Sequence, residues 1–301
     1  MIGSREQYGH YLEEIAQASH GKLQVAKWIE SKGDLDLSKA RKNHSDIILI
    51  ADKKVYETIR NEVSSYQKDG YDKKFLSDLA EQWLNRIPLD LIEEYQEYYE
   101  MIFTEASIPQ VNRVFDVAMG IIMAVLALPF IILFGFLIMI TSGFPIIFKQ
   151  KRTGLEEKPF MFYKLRSLKT VKNIDTVDNP NATIEKRITL VGRIIRKTRI
   201  DEFPQFMNIL NGSMSVVGPR PEMVSYHEKW VDRIPFYKYR NMVKPGLTGW
   251  AQIHYNHTTT LEEYRRKTEY DLYYVKNKSI LLDIRIMLMT FETMLGMRGS
   301  R

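Results

Sequence analysis

VAMGIIMAVLALPFIILFGFLIMI, residues Val117 to Ile140, holds 24 residues, no charge and one proline. About 20 apolar residues suffice to span a bilayer, so the plain reading is a transmembrane helix, with a buried core helix as the lesser alternative. Two features bear against a simple span. Pro129 stands in the middle, where it removes a backbone donor and clashes with the preceding turn. Basic residues also flank both ends, Arg113 before the run and Lys149, Lys151 and Arg152 after it, whereas a span usually carries its Lys/Arg excess on one side. If the helix breaks at Pro129 and turns back, each arm has about a dozen residues and reaches about 18 Å at 1.5 Å per residue. That is too short for a hydrocarbon core of about 30 Å. These signals favour a re-entrant hairpin over residues 106–148, both ends on one face of the membrane. A kinked span stays open, because prolines are tolerated in true spans.

The surrounding chain is 301 residues long, 45% apolar and 27% charged, with net charge +6. Such a length suits one large domain or two modest ones, and the composition suits a packed core. The basic balance fits nucleic acid, an anionic membrane surface or a phosphorylated substrate. The absence of cysteine excludes a disulfide scaffold and a Cys-based metal site. MIGSREQYGHYLEEI lacks the apolar core of a secretory signal.

Residues 1–105 read as a soluble α/β piece. REQYGHYLEEIAQ has helical spacing, LQVAKWI is strand-like, DIILIAD is a short buried-strand run, and KVYETIRNEVSSYQ and FLSDLAEQWL return to helical spacing. This order resembles part of a small Rossmann-like domain. No GxGxxG accompanies Ile2-Gly3-Ser4, so no nucleotide site is inferred there. Asp34-Leu35-Asp36 matches the DxD that many glycosyltransferases use for a metal, but three-residue matches arise by chance. Near the other end, ILLDIRIMLMTFETML (280–295) has a broad apolar face and reads either as a core helix or as one lying in the membrane interface.

Residues 150–252 concentrate the chemistry. Lys164 and Arg166 in FYKLRSL, Arg196 in RIIRKTR and Arg220 in VVGPRPE put basic side chains near turns, and arginine forks match phosphate oxygens. GPRP and KPGLTGWAQ fix loops. In TRIDEFPQ, Thr198 to Gln205, two carboxylates sit side by side. Glu202-Phe203-Pro204 can form a first helical turn, which puts Asp201 at or near the N-cap. There it is either a plain capping residue or a carboxylate held beside a phosphate seat, able to attack phosphorus or hold Mg2+. His254 and His257 are read as loop histidines and not as ligands.

The ordered landmarks RVFDVAMG, FKQKRTGLEEKPFMFYKLRSL, TRIDEFPQFMNILNGSMSVVGPRPE, VKPGLTGWAQI and YDLYYVKNKSILLDIRIM resemble those of the monotopic phosphoglycosyl transferases, bacterial sugar transferases that load a polyprenyl phosphate. The resemblance runs from about Val111 to Met297. It implies an α/β fold: a small Rossmann-like N-terminal domain (1–105), the re-entrant hairpin (106–148) and a catalytic domain (149–301) with interfacial amphipathic helices on the cytoplasmic face of the bacterial inner membrane. It implies that Asp201 attacks the sugar-bearing phosphate of a UDP-sugar, expelling UMP, and that polyprenyl (undecaprenyl) phosphate then takes the phosphosugar. Glu202 would assist through Mg2+ or proton handling. By the same match Lys164, Arg166, Arg196 and Arg220 contact phosphate, and Pro245, Gly246, Thr248, Gly249 and Gln252 form the PGxTGxxQ loop near the nucleotide. Pro129 matches the helix-breaking proline. Two departures stand out: Leu128 replaces the serine that short members often carry before that proline, and IHYNHTTTLEEY replaces the usual stretch after WAQ, so sugar preference does not transfer. Residues 1–105 are expected to support the enzyme, with dimerisation the candidate role. The rival readings are a membrane-anchored regulatory or interaction protein, and nucleic-acid binding, for which no motif is present.

Overall fold

The computed structural model describes residues 1–30, 47–61, 63–64, 71–105, 112–169, 187–255 and 258–294. Asp34, Asp36 and His257 lie outside the described residues. The chain divides into two units: Met1–Glu105 with Ile234–Phe236 and His257–Asn277, and Ala106–Arg233 with Tyr237–Asn256 and Lys278–Arg301.

In the first unit the helix Arg5–Ala18 buries Tyr8, Tyr11 and Ile15, residues spaced to share one helical face. Strand β1 (Ile47–Ile50) pairs in parallel with β2 (Asp72–Phe75), and Ile2 bridges in parallel to both Ile50 and Ile29. The sheet is therefore parallel, in the order Ile29, Ile2, β1, β2. Of LQVAKWI only Ile29 joins it, not the full strand that the sequence suggests. Gly3 has φ +139°, and a side chain there would press on Ala51 and the Tyr8 ring.

The helix Leu261–Asn277 lies in this unit. Its apolar and charged residues explain why. Leu272, Tyr274 and Val275 are buried. Glu269 forms ion pairs with Arg86 and Arg266 and accepts from the Leu89 amide at 3.2 Å. Glu14 also binds Arg86, and Lys276 pairs with Glu81 at 2.5 Å. A buried arginine needs such partners, since an unpaired buried charge is strongly destabilising.

The second unit begins with a 31-residue helix, Asn112–Ser142, with Pro129 inside it. Among the described residues it alone is long and apolar enough to cross a membrane. The expected division into two arms at Pro129 is not found: one unbroken helix runs through the proline. Its buried positions Asp116, Gly120, Ala127, Gly135 and Ile138 fall on one face, and this stripe seats both halves on the rest of the unit. Gly120 lies against Ile209 and Leu210, Phe130 meets Phe203 edge-on at 5.7 Å, and Ile138 packs with Leu165, Ile195 and Ile200. Continuous side-chain support thus holds together a helix that Pro129 alone would interrupt. Its other face is exposed and apolar, including Ile122, Val125, Leu126, Leu133 and Phe136.

Strands β3 (Ile147–Thr153) and β4 (Pro159–Leu165) form an antiparallel hairpin. A helix, Leu190–Lys197, leads into a 3-10 turn, Ile200–Gln205, and the helix Phe206–Leu210. Strand β5 (Ser215–Val217) pairs in parallel with β6 (Gly246–Thr248). The helix Ile280–Met294 buries one face and leaves an apolar one exposed. Asp283, Ile286 and Met289 are buried, while Leu281, Ile284, Leu288 and Phe291 are exposed.

Candidate active site

Asp201 and Glu202 stand on the 3-10 turn, whose N-cap is Arg199 in the left-handed region at φ +60°. Asp201 is therefore not the N-cap that the sequence suggests, and it makes no capping hydrogen bond. Lys164 reaches the pair from β4, its Nζ 2.6 Å from Glu202 Oε1 and 3.7 Å from Asp201 Oδ2. Arg220 closes the other side, Nη2 to Glu202 Oε1 at 2.8 Å. Glu202 is thus clasped by two cations, and Asp201 accepts no hydrogen bond among the described residues.

The two carboxyls respond in opposite directions. Burial alone would raise both. For Glu202 the charges and hydrogen bonds of Arg220 and Lys164 outweigh burial, and its carboxyl is held well below the usual range. Asp201 is raised above its ordinary value: burial outweighs the pull of Lys164, the Glu202 charge adds to the rise, and Arg196 and Arg199 oppose it. One acid is locked as an anion, and its neighbour is a less hydrogen-bonded, more basic carboxylate.

Arg220 is placed by backbone packing. Gly246 and Gly249 bring the PGLTG segment onto Gly218: an added Cβ on Gly246 would lie 2.0 Å from the Gly218 nitrogen, and one on Gly249 would lie 2.2 Å from the Gly218 oxygen. The Gly218 amide donates to the Thr248 carbonyl, and the Gly246 amide to that of Pro219, both at 2.9 Å. Pro245 accepts from the Ser215 amide at 2.9 Å. Thr248 Oγ1 pairs with Thr290 at 2.6 Å, and Gln252 Oε1 is buried with no hydrogen-bond partner. The loop that the sequence assigns to the nucleotide is thus, in its backbone, the mould of the GPRP turn.

Three sequence candidates for phosphate contact are gathered here. Lys164 and Arg220 touch the acid pair, and Arg196, exposed in the last turn of its helix, acts on Asp201 through its charge. Arg166 is not among them. Its guanidinium donates to the Ser142, Gly143 and Phe144 carbonyls, at 2.5 Å and 2.9 Å for Ser142 and Phe144, so it binds the carbonyl end of the long helix, where cations are favoured.

The sequence reading missed two residues. Arg240 Nη2 donates to the Arg220 carbonyl at 2.9 Å, and Arg152 Nη1 to that of Pro221 at 2.8 Å, holding the turn from outside. Arg152 drew notice only as a flanking charge, and nothing in the sequence around Arg240 marks it. Among the described residues no group of three or more His, Asp and Glu side chains is arranged for a metal. The adjacent carboxylates still fit Mg2+, which is commonly held by one or two carboxylates together with substrate phosphates.

An exposed apolar helix seated on an α/β unit with a cation-clasped acid pair defines a membrane-associated α/β protein. Residues 108–297 match the family model for bacterial sugar transferases. Over 227 residues the chain is 35% identical to the UDP-N-acetylgalactosamine-undecaprenyl-phosphate N-acetylgalactosaminephosphotransferase of Aeromonas hydrophila, covering 75% of this chain and 53% of the relative. Over 186 residues it is 40% identical to the UDP-glucose:undecaprenyl-phosphate glucose-1-phosphate transferase of Escherichia coli K12, covering 60% and 40%. It is 36% identical over 188 residues to an uncharacterized sugar transferase, EpsL, of Bacillus subtilis, covering 62% and 89%. The chain therefore belongs to the bacterial sugar transferase family, and it spans about half or less of the length of the first two relatives.

Proposed function

We propose that this protein transfers a sugar-1-phosphate from a UDP-sugar to polyprenyl phosphate, as the first membrane step of glycoconjugate or exopolysaccharide synthesis. The observation that carries the reading is Asp201: a buried carboxylate of raised basicity, without a hydrogen bond, beside an anion already clasped by Lys164 and Arg220. In the first step an Asp201 oxygen bonds to the sugar-bearing phosphorus, the bond from that phosphorus to the bridging oxygen breaks, and UMP leaves with the electron pair. In the second, an oxygen of polyprenyl phosphate attacks the same phosphorus and the aspartyl oxygen departs, restoring the carboxylate. Four cations, Lys164, Arg196, Arg199 and Arg220, act on two carboxylates. That surplus suits a diphosphate and the charge that develops on its leaving oxygen. Mg2+ held by Glu202, Asp201 and the diphosphate would neutralise further charge.

The exposed apolar faces of the long helix and of Ile280–Met294 support seating on the inner-membrane lipid from the cytoplasmic side. Basic residues at both ends of the apolar run support both of its ends meeting one face of that membrane. The parallel sheet of the first unit supports its reading as a Rossmann-like accessory domain, with a role in homodimerisation. The test is UMP release over a panel of UDP-sugars, with intact-mass measurement on UDP-sugar alone. The expected result is UMP release and a protein heavier by one phosphosugar. Absence of an adduct after quench, together with sequential kinetics, removes Asp201 as nucleophile.

A further inference from the structure

The hairpin between β3 and β4 turns through Leu155, Glu156, Glu157 and Lys158, closed by the Lys158 amide on the Leu155 carbonyl at 3.0 Å. Its two central residues are left-handed, Glu156 at φ +51° and Glu157 at φ +61°. A turn of this shape favours Gly, Asn or Asp at its centre, because a larger side chain there presses on its own backbone. Glutamate at both places is a strain that the surrounding structure has to offset. Glu156 makes an exposed pair with Lys158. Glu157 reaches further: its Oε1 lies 2.8 Å from Nε2 of His227, a residue 8% exposed on the helix Val224–Trp230.

His227 is itself held. Asn241 Nδ2 donates to its Nδ1 at 3.4 Å, which leaves Nε2–H to donate to Glu157, and its ring tilts on Tyr237 with centroids 5.6 Å apart. Asn241 and Tyr237 share the 3-10 turn Tyr237–Asn241 with Arg240, the arginine that donates to the Arg220 carbonyl. The helix of His227 follows the GPRP turn, and the segment between them runs along β3. There the Thr153 amide donates to the Glu222 carbonyl at 2.9 Å, and Arg152 bridges to Met223. The contacts thus close a ring. From Lys164 on β4 it passes through Glu202 to Arg220, and through Arg240 and its neighbour Asn241 to His227. Glu157 then returns it to the hairpin that carries Lys164.

We propose that Glu157 and His227 are positioning residues for the cation pair on Glu202: their hydrogen bond ties the hairpin to the GPRP side of the site, so that Lys164 and Arg220 meet the diphosphate at a fixed separation. This rests on the reading of the acid pair given above. Glycine at 157 would turn the chain without strain, but it would leave His227 without its carboxylate partner and the ring open at that point.

The experiment uses Glu157→Gly, Glu157→Gln, His227→Phe and the double variant Glu157→Gly with His227→Phe, all in the full chain. Each is melted in detergent and assayed for UMP release from a UDP-sugar. Glu157→Gly loses the hydrogen bond and the strain together, so it should melt close to the wild type. Its kcat should nevertheless fall on the order of 10-fold, short of the roughly 10²-fold that a misplacement of about 1 Å costs. KM should stay within about threefold, because the cations remain present and only their alignment is lost. Glu157→Gln keeps an acceptor at the same reach and should hold kcat within about threefold of the wild type. His227→Phe keeps a ring against Tyr237 but strands the buried Asn241 amide, and it should melt lower. Acting through one contact, the two residues should give a double variant that loses no more kcat than His227→Phe alone. A wild type that releases no UMP overturns the parent reading, and this one with it. An active wild type beside a Glu157→Gly variant of unchanged kcat, or losses that add in the double variant, overturns this proposal alone.

Discussion

At the scale of single residues, the acid pair was legible because its parts are contiguous: Asp201 and Glu202 are adjacent, and TRIDEFPQ announces a turn. The difference between the two acids was not, because it is made by Lys164 and Arg220, which arrive from separate strands and turns. Asp201 is raised by burial, so its ionised form opposes folding once pH exceeds the ordinary aspartate value. Asp201→Asn should therefore abolish UMP release while melting no lower than the wild type at neutral pH. The sign of the pH dependence follows. A raised carboxyl favours the folded state below its unfolded value, and that advantage is lost as pH rises through the folded one. The melting temperature of the Asn variant relative to the wild type should thus be highest at neutral pH and fall as the buffer is acidified. Thermal melts across that range check this, and a relative loss of stability at neutral pH would show that Asp201 serves the fold.

At the scale of elements, the local rule for proline failed for a physical reason. Pro129 weakens one turn, but the stripe from Asp116 to Ile138 supplies side-chain contacts on both sides of it, and tertiary packing overrides propensity. The anchors of that helix were likewise unreadable, since they link distant residues. Arg113 donates to the Ile209 and Leu210 carbonyls at 2.6 and 2.5 Å, and Asp116 accepts from the Ser215 hydroxyl and the Val216 amide. In the sequence Arg166, two positions after Lys164, resembles a second phosphate contact, whereas its guanidinium is taken up by the Ser142, Gly143 and Phe144 carbonyls at the end of the long helix. Arg166→Met should accordingly lower stability by about 1.5–3 kcal/mol, the worth of charge-assisted hydrogen bonds. It should leave KM for the UDP-sugar nearly unchanged, as melting in detergent and steady-state kinetics would show; a large rise in KM with an unchanged melt would restore it to the phosphate site.

At the scale of the whole molecule, the cysteine-free chain permits a clean test of the membrane course. Single cysteines at Val114, 80% exposed, and at exposed Lys149 should be labelled from the same side of sealed vesicles, and labelling from opposite sides would establish a span. The unit boundary gives a second test. A chain cut to begin at Ser107 strips the helix Leu261–Asn277 of the residues that cover Leu272, Tyr274 and Val275 and that neutralise Glu269. It should express with markedly lower solubility in detergent and a lower melting temperature than the full chain; an equal melt would show that the two units are independent. Sequence order concealed this, because Arg86 and Glu269 are separated by 183 residues. The same separation has a meaning in time. A ribosome adding about 5–20 residues each second needs on the order of 10–40 s to travel from Arg86 to Glu269. Throughout that interval the nascent first unit carries an arginine whose inward partner has not been synthesised. The first unit to be made is thus among the last to close, and whatever shields its half-built surface from neighbouring chains must act while translation is still under way.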